Sequence, residues 1–274
     1  MAADPDLLPS DRTLAQRLLA ILLPLLLGVI FLGGWELLVR MSEVPVYILP
    51  GPLRIASSLA EGWDTLSDSL LVTLQITFMA LLVAVIGGGG LAILFAQSKW
   101  IEASFFPYAV ILQVTPIVAI APLILIYVRN TELALLICAW LVAFFPILSN
   151  TTLGLNSVDH NLMDMMRLYR ARRGQVLWYL RLPGAMPYFL GGLRIAGGLS
   201  LIGAVVAEFA AGTATAGSGL AYRILESGYR LDIPRMYAAL VLLSGAGIVI
   251  FFVFSFLSWL ILHKWHESAA RREH

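Results

Sequence analysis

Six apolar stretches, at approximately 18–40, 69–97, 106–128, 131–155, 185–210 and 234–262, follow one another along most of the chain. A helix needs roughly 20 apolar residues to cross about 30 Å of hydrocarbon, and each stretch is long enough. Inside lipid the backbone must satisfy its own polar groups, so such stretches become helices packed in a bundle. The expected fold is all-α and integral to a membrane, with six transmembrane helices. Only 13% of the residues are charged, against about a quarter in soluble domains, and no interval leaves room for a soluble domain. The chain divides into a polar segment at 1–17, a transmembrane domain at 18–262 and a polar tail at 263–274. The first stretch exceeds a signal-peptide core and reads as a retained span.

Lysine and arginine set the orientation. With the N-terminus inside, the inner segments carry Arg12, Arg17, Lys99, Arg167, Arg170, Arg172, Arg173, Arg181, Lys264, Arg271 and Arg272, eleven residues. The outer segments carry six, Arg40, Arg54, Arg129, Arg223, Arg230 and Arg235. Both termini are therefore expected in the cytoplasm. A net charge of +1, with the basic residues segregated, offers no nucleic-acid surface.

Within the spans, Gly192, Ala196, Ser200, Gly203 and Ala207 fall in an arc of roughly 80° at 100° per residue. Small residues on one face let backbones approach closely, which places the fifth span centrally. Gly87 to Gly90 form a second small run, and Cys138, the single cysteine, reads as packing. Pro116, Pro122 and Pro146 should kink the third and fourth spans. Gln113, Thr115, Asn150 and Thr151 lie beside these prolines and are candidates to line a pathway. Between the spans, a short amphipathic helix is expected after Tyr47-Ile48-Leu49-Pro50-Gly51-Pro52, a tight turn at 97–104, and a flexible-then-helical stretch at 212–233. The ionisable residues inside apolar runs are Glu36, Arg194 and Glu208; Glu36 and Arg194 read as near span ends, within snorkelling reach of the interface.

The most informative connection follows the fourth span, at about 158–183. Asn161 to Arg172 reads as a short helix with Leu162, Met165, Met166 and Tyr169 as apolar surface, and Asp164 and Arg167 can pair across one turn. Gly174 loosens the chain, and Gln175 to Arg181 forms a second short helix that Pro183 stops. The segment has too much apolar surface for a solvated loop and too much charge for a span, so something must cover it.

This segment resembles the coupling segment of permease subunits of binding-protein-dependent ABC importers, whose pattern is Glu-Ala-Ala-x-x-x-Gly and, after a spacer, Leu-Pro. Anchored on Leu182 and Pro183, the acid falls on Asp164, the alanines on Met165 and Met166, and the glycine on Arg170. The flanking LRLPGAMPYFLGGLRIAGGLSLIGAVVAEFAAG, SVDHNLMDMMRLY, FFPILSNTTLGL and YILPGP are similar to the branch serving nitrate, sulfonate, taurine, riboflavin and pyrimidine importers.

The resemblance implies a type I importer permease in a bacterial inner membrane. A second permease copy would pair with it, two cytoplasmic ATPase subunits would hold ATP and Mg, and an extracytoplasmic binding protein would deliver substrate. This chain would hold no cofactor and catalyse nothing itself. The residues meeting the ATPase would be Asp164, Met165, Arg167, Leu168, Tyr169, Arg170, Ala171 and Gln175. Glu208, in a recurrent Ala-Glu of the family, would order the outer gate or the binding-protein contact. Arginine in place of glycine at 170 leads to an expected helix that is more continuous, or a turn displaced toward Gly174.

Two other readings stay open. A stand-alone secondary transporter or channel would show internal repeats and midplane ion sites, and neither is evident; His160, His263, His266 and His274 all lie away from midplane. A membrane enzyme would need clustered carboxylates, histidines or metal ligands at the interface. No P-loop occurs in the sequence, so ATP hydrolysis by that route belongs to another chain.

Overall fold

The computed structural model describes residues 14–212 and 218–263, and helix is the only regular structure among them. Arg12, Lys264, Arg271 and Arg272, the segments on which they lie, residues 213–217 and the side chain of Arg17 fall outside the described residues.

In chain order, α1 (Leu14–Met41) leads to the short α2 (Pro52–Glu61) and then to α3 (Trp63–Gln97). Next come α4 (Lys99–Val114), α5 (Ile117–Tyr127) and α6 (Thr131–Asn156). The connection that follows contains α7 (His160–Leu168) and α8 (Arg173–Val176), and a π-helical turn, Leu177–Arg181, joins α8 to α9 (Leu182–Ala211). The chain closes with α10 (Leu220–Tyr229) and α11 (Ile233–Leu262). Five of the helices, α1, α3, α6, α9 and α11, are each long and apolar enough to cross a membrane.

The third expected span is not one helix. α4 and α5 meet at an angle of 99°. Pro116 causes the break, because its ring excludes the preceding residue from helical geometry. Thr115 is extended, at φ −70° and ψ 122°, and Pro116 follows at ψ 117°. Pro122 and Pro146, by contrast, remain inside α5 and α6. The turn expected at 97–104 is also shorter, since α4 begins at Lys99 and Ser98 alone separates it from α3.

Close packing of α6 against α9 forms the centre. A β-carbon at Gly203 would lie 2.8 Å from the Ala139 Cα, and one at Gly192 would lie 2.9 Å from both the Pro146 carbonyl oxygen and the Asn150 Cβ. From the α6 side, a β-carbon at Gly154 would meet the Tyr188 Cβ at 2.8 Å. Gly192, Ala196, Ser200, Gly203 and Ala207 are all buried, as their shared arc implied. α3 lies against the other flank of α6, where a β-carbon at Gly88 would come 3.1 Å from the Phe144 carbonyl oxygen. Cys138 is fully buried beside Ile76, Leu135 and Ala139. Around this core α9 also touches α5, α10 and α11. The outlying α1 rests on α2, where the Glu36 carboxylate accepts hydrogen bonds from Arg40 Nε at 2.7 Å and from the Leu53 amide at 3.2 Å.

A side chain forced between α6 and α9 should separate them. Gly203→Val is expected to lower stability by roughly 1–3 kcal/mol, the usual cost of overpacking, read as a lower thermal midpoint in detergent. Gly191→Ala, on the same helix but facing open space, should leave the midpoint unchanged or slightly higher. Equal losses in the two variants would contradict this account of the core.

Candidate functional site

At one end of the bundle, the last turns of α3 and α6 and the start of α9 surround the α7–α8 connection. Asp159 caps α7, its carboxylate accepting from the Asn161 amide at 2.8 Å. The Asp164–Arg167 pair forms at 2.9 Å, exposed on both sides, so it contributes little stability. None of the α7 residues is buried. Leu168 and Tyr169 are 85% and 80% exposed, and Trp178 and Tyr179 on the same connection are exposed as well. Apolar surface of this extent on one connection marks a contact face.

Arg170 does what the sequence led us not to expect. The helix neither continues through it nor turns later at Gly174. It ends at Tyr169, and Arg170 takes the left-handed conformation, φ +51°. The Ala171 amide donates to the Met166 carbonyl at 3.0 Å and the Arg170 amide to the Arg167 carbonyl at 2.9 Å. These are the two bonds of a Schellman stop, a position at which glycine avoids a strain of about 1–2 kcal/mol. The backbone demand for the turn therefore outweighs the cost of a β-carbon. Glu43 and Leu231 close α1 and α10 in the same way, at φ +47° and +57°.

Nor does Pro183 stop the second helix. α8 continues through the π-helical turn into α9 and forms one rod from Arg173 to Ala211, 39 residues long. Proline clashes with the carbonyl four residues earlier in a regular helix. Here the wider turn, closed by the Leu182 amide on the Leu177 carbonyl, relieves that clash just upstream of the ring. Gln175 accepts from the Arg172 amide at 2.7 Å and braces the start of the rod. Further along, Arg181 Nη1 donates to the Ala96 carbonyl at 2.5 Å. Leu177 and Leu182 pack against the cluster containing Phe95, Leu148 and Leu155. The connection is thus fastened to α3, α6 and α9 together.

A second neighbourhood opens where α4 and α5 part. A cavity of about 420 Å³ lies there, lined by Gln113, Thr115 and Pro116 from the break, Leu141 and Pro146 from α6, and Leu199 from α9. The Thr115 hydroxyl donates to the Ile111 carbonyl at 2.6 Å. Asn150, one turn beyond Pro146, donates to the Pro146 carbonyl at 2.9 Å and is half-buried. Thr151 is 5% exposed, and its hydroxyl has no partner among the described residues. Gln113 and Thr115 share the cavity; Asn150 and Thr151 do not line it.

Glu208 stands apart, near the far end of α9. It is 4% exposed, with one carboxylate oxygen accepting from the Thr73 hydroxyl at 2.8 Å and the other from the Ala221 amide at 3.0 Å. The Leu220 amide donates to the same Thr73 hydroxyl at 2.9 Å. A carboxylate on free amides of a helix N-terminus satisfies both partners, so Glu208 and Thr73 together cap α10. Gly219 is needed because a β-carbon there would fall on the Glu208 carboxylate. Beyond it, the hydrogen bond from Arg223 holds the Glu226 carboxyl below the usual carboxylate range. Sequence reading missed Thr73 and Gly219, since nothing local signals contacts made so far along the chain.

Arg194 stands near the level at which α11 ends, since Leu262 belongs to one cluster with Leu190 and Leu193. Its guanidinium lies over the Phe251 ring, 5.6 Å from the centroid.

Residues 84–272 match the family described as binding-protein-dependent transport system inner membrane component. The chain is 30% identical to a probable ABC transporter permease protein of Haemophilus influenzae, over 89% of this chain and 96% of that one. It is 32% identical to the riboflavin transport system permease protein RibX of Chloroflexus aurantiacus, over 85% and 86%. Further relatives are named as permeases for formylaminopyrimidine, aliphatic sulfonates, nitrate and taurine. A solved amino acid ABC transporter, crystallised with histidines, shares the fold with a TM-score of 0.60 at 18% identity, over 74% of this chain and 95% of that one.

Two local features can be probed directly. Arg170→Gly should stabilise the turn by about 1 kcal/mol, slowing hydrogen exchange at the amides of residues 170 and 171, whereas Arg170→Val should speed it. Glu208→Ala removes the acceptor of the Ala221 amide and leaves the Thr73 hydroxyl only the Ser69 carbonyl, at 3.2 Å, to donate to. It should lower stability by roughly 1–3 kcal/mol, with exchange rising first at Leu220 and Ala221.

Proposed function

The chain belongs to the family of binding-protein-dependent transport system inner membrane components, and from that premise we propose that it is the translocating permease of an ATP-driven importer. Two copies pair to enclose the route. Each presents its α7 face, with both chain termini, to the cytoplasm, and a separate ATPase subunit with bound ATP and Mg receives it in a groove. An extracytoplasmic binding protein delivers a small nutrient at the opposite end. Substrate class at this level spans sulfonate- or nitrate-like anions and riboflavin- or pyrimidine-like compounds.

The observation that carries this reading is the join between an uncovered contact face and a continuous rod. Leu168 and Tyr169 project from α7 with most of their surface bare, and the Schellman stop at Arg170 fixes the angle between α7 and α8. Asp164, Met165, Arg167, Ala171 and Gln175 complete the docking segment. Motion received there has no flexible element in which to dissipate before Ala211, because the helix runs unbroken from Arg173. Its passage beside Pro146 through Gly192 and past the cavity through Leu199 lets a tilt of the rod widen or close that space. A volume of about 420 Å³ suits a small solute, with Gln113 and Thr115 at its wall. Glu208 serves the outer end, holding α10 to α9 and α3 while the rod moves.

The test replaces the exposed docking side chains and leaves the core alone. Leu168→Asp combined with Tyr169→Asp should reduce ATPase co-purification by roughly thirtyfold or more, the effect of losing an interface anchor of about 2 kcal/mol. The thermal midpoint should stay within a few degrees of wild type, since neither side chain is buried. Undiminished ATPase association after disruption of residues 160–172 would refute the docking assignment.

A further inference from the structure

We propose that the cavity at the α4–α5 corner receives a neutral heteroaromatic solute whose ring edge carries both N–H and C=O groups. This rests on the permease reading above and narrows it. The cavity, about 420 Å³ in volume, is bounded by residues 112–117 on one side. Ile120, Leu141, Val142, Pro146 and Leu199 close the others, and no charged side chain lines it. An ion entering such walls gives up water and gains no countercharge. A flat ring meets the mostly apolar lining that small-molecule sites share.

The polar groups at the corner are of both kinds. Pro116 has no N–H for the Leu112 carbonyl, and the 99° bend takes the Ile117 amide away from the Gln113 carbonyl. Among the described residues neither carbonyl gains another donor, and the Ile117 amide gains no acceptor. Inside a span, groups of this sort need a partner. α4 ends and α5 begins at this one corner, so the carbonyl end of one helix dipole meets the amide end of the other. Their partial charges, about half a unit each and opposite in sign, offset one another. The Thr115 hydroxyl gives its hydrogen to the Ile111 carbonyl and can only accept from a solute. The Gln113 carboxamide makes no hydrogen bond with the described residues and adds a donor and an acceptor. A lactam or imide edge, with N–H beside C=O, pairs with this mixture. An oxyanion would gain the amides but would also face the carbonyls and the hydroxyl oxygen.

The permease–ATPase complex, purified without a binding protein so that selection comes from the spans alone, tests this by equilibrium dialysis. Radiolabelled riboflavin and thymine serve as neutral rings, and methanesulfonate and nitrate as anions. Wild type should bind at least one ring, and an excess of either anion should leave that binding in place. Gln113→Leu should weaken it roughly tenfold or more, the effect of losing a hydrogen bond at a buried contact, and Thr115→Val should weaken it severalfold. ATPase co-purification should be unchanged in both variants. Binding of neither ring, displacement of a bound ring by an anion, or ring binding by Gln113→Leu within about twofold of wild type would overturn the proposal while leaving the permease reading intact. Should Gln113→Leu fail to assemble, Thr115→Val, which keeps the shape of the side chain, decides by the same criterion. Failure of the wild-type chain to bind its ATPase would instead strike the permease reading.

Discussion

The contact between α6 and α9 is made almost backbone to backbone, and the rest of the molecule is arranged by it. In lipid no hydrophobic force draws two apolar helices together, so proximity must come from dispersion between surfaces that can approach. Gly154, Gly192 and Gly203 permit that approach, each occupying a place where a β-carbon would strike the opposite helix. α3 then closes against α6 through Gly88, and the paired helices hold Phe95, Leu148 and Leu155 as the floor for Leu177 and Leu182. The position of the α7–α8 connection follows from how closely two helices can lie.

From that core the structure resolves into a stiff part and a broken part. The stiff part is the rod from Arg173 to Ala211, in which a π-helical turn accommodates Pro183 without loss of continuity. The broken part is the α4–α5 corner at Thr115 and Pro116, bent by 99°, with the cavity in its angle. Two prolines with the same chemistry thus have opposite consequences. Pro183 follows a turn already widened by one residue, whereas Pro116 follows a threonine that it drives into extended geometry.

Much of this architecture was legible in the sequence. Apolar length located the spans, the arc of small residues identified the buried face of α9, and the spacing of Asp164 and Arg167 anticipated their pair. Interactions that depend on distant partners were not legible. Arg170 was read by its side chain, which disfavours a left-handed turn, but two backbone hydrogen bonds decide the conformation. Pathway candidates chosen for standing near prolines divided in space: Gln113 and Thr115 reach the cavity, whereas Thr151 is buried. Glu208, expected at the outer gate, belongs to a cap whose other half, Thr73, lies 135 residues away.

That cap bears on the order in which the protein can be made. A ten-residue helix such as α10 is too short to hold itself together in water, and the groups that close its first turn come from α3 and α9. α10 therefore has no settled form until both of those spans are in the bilayer and side by side. Translation delivers α3 early and α9 late, so this end of the bundle is completed only near the end of synthesis, when the membrane core is already assembled. A defect at Thr73 would stay silent through most of biogenesis and surface at its last step.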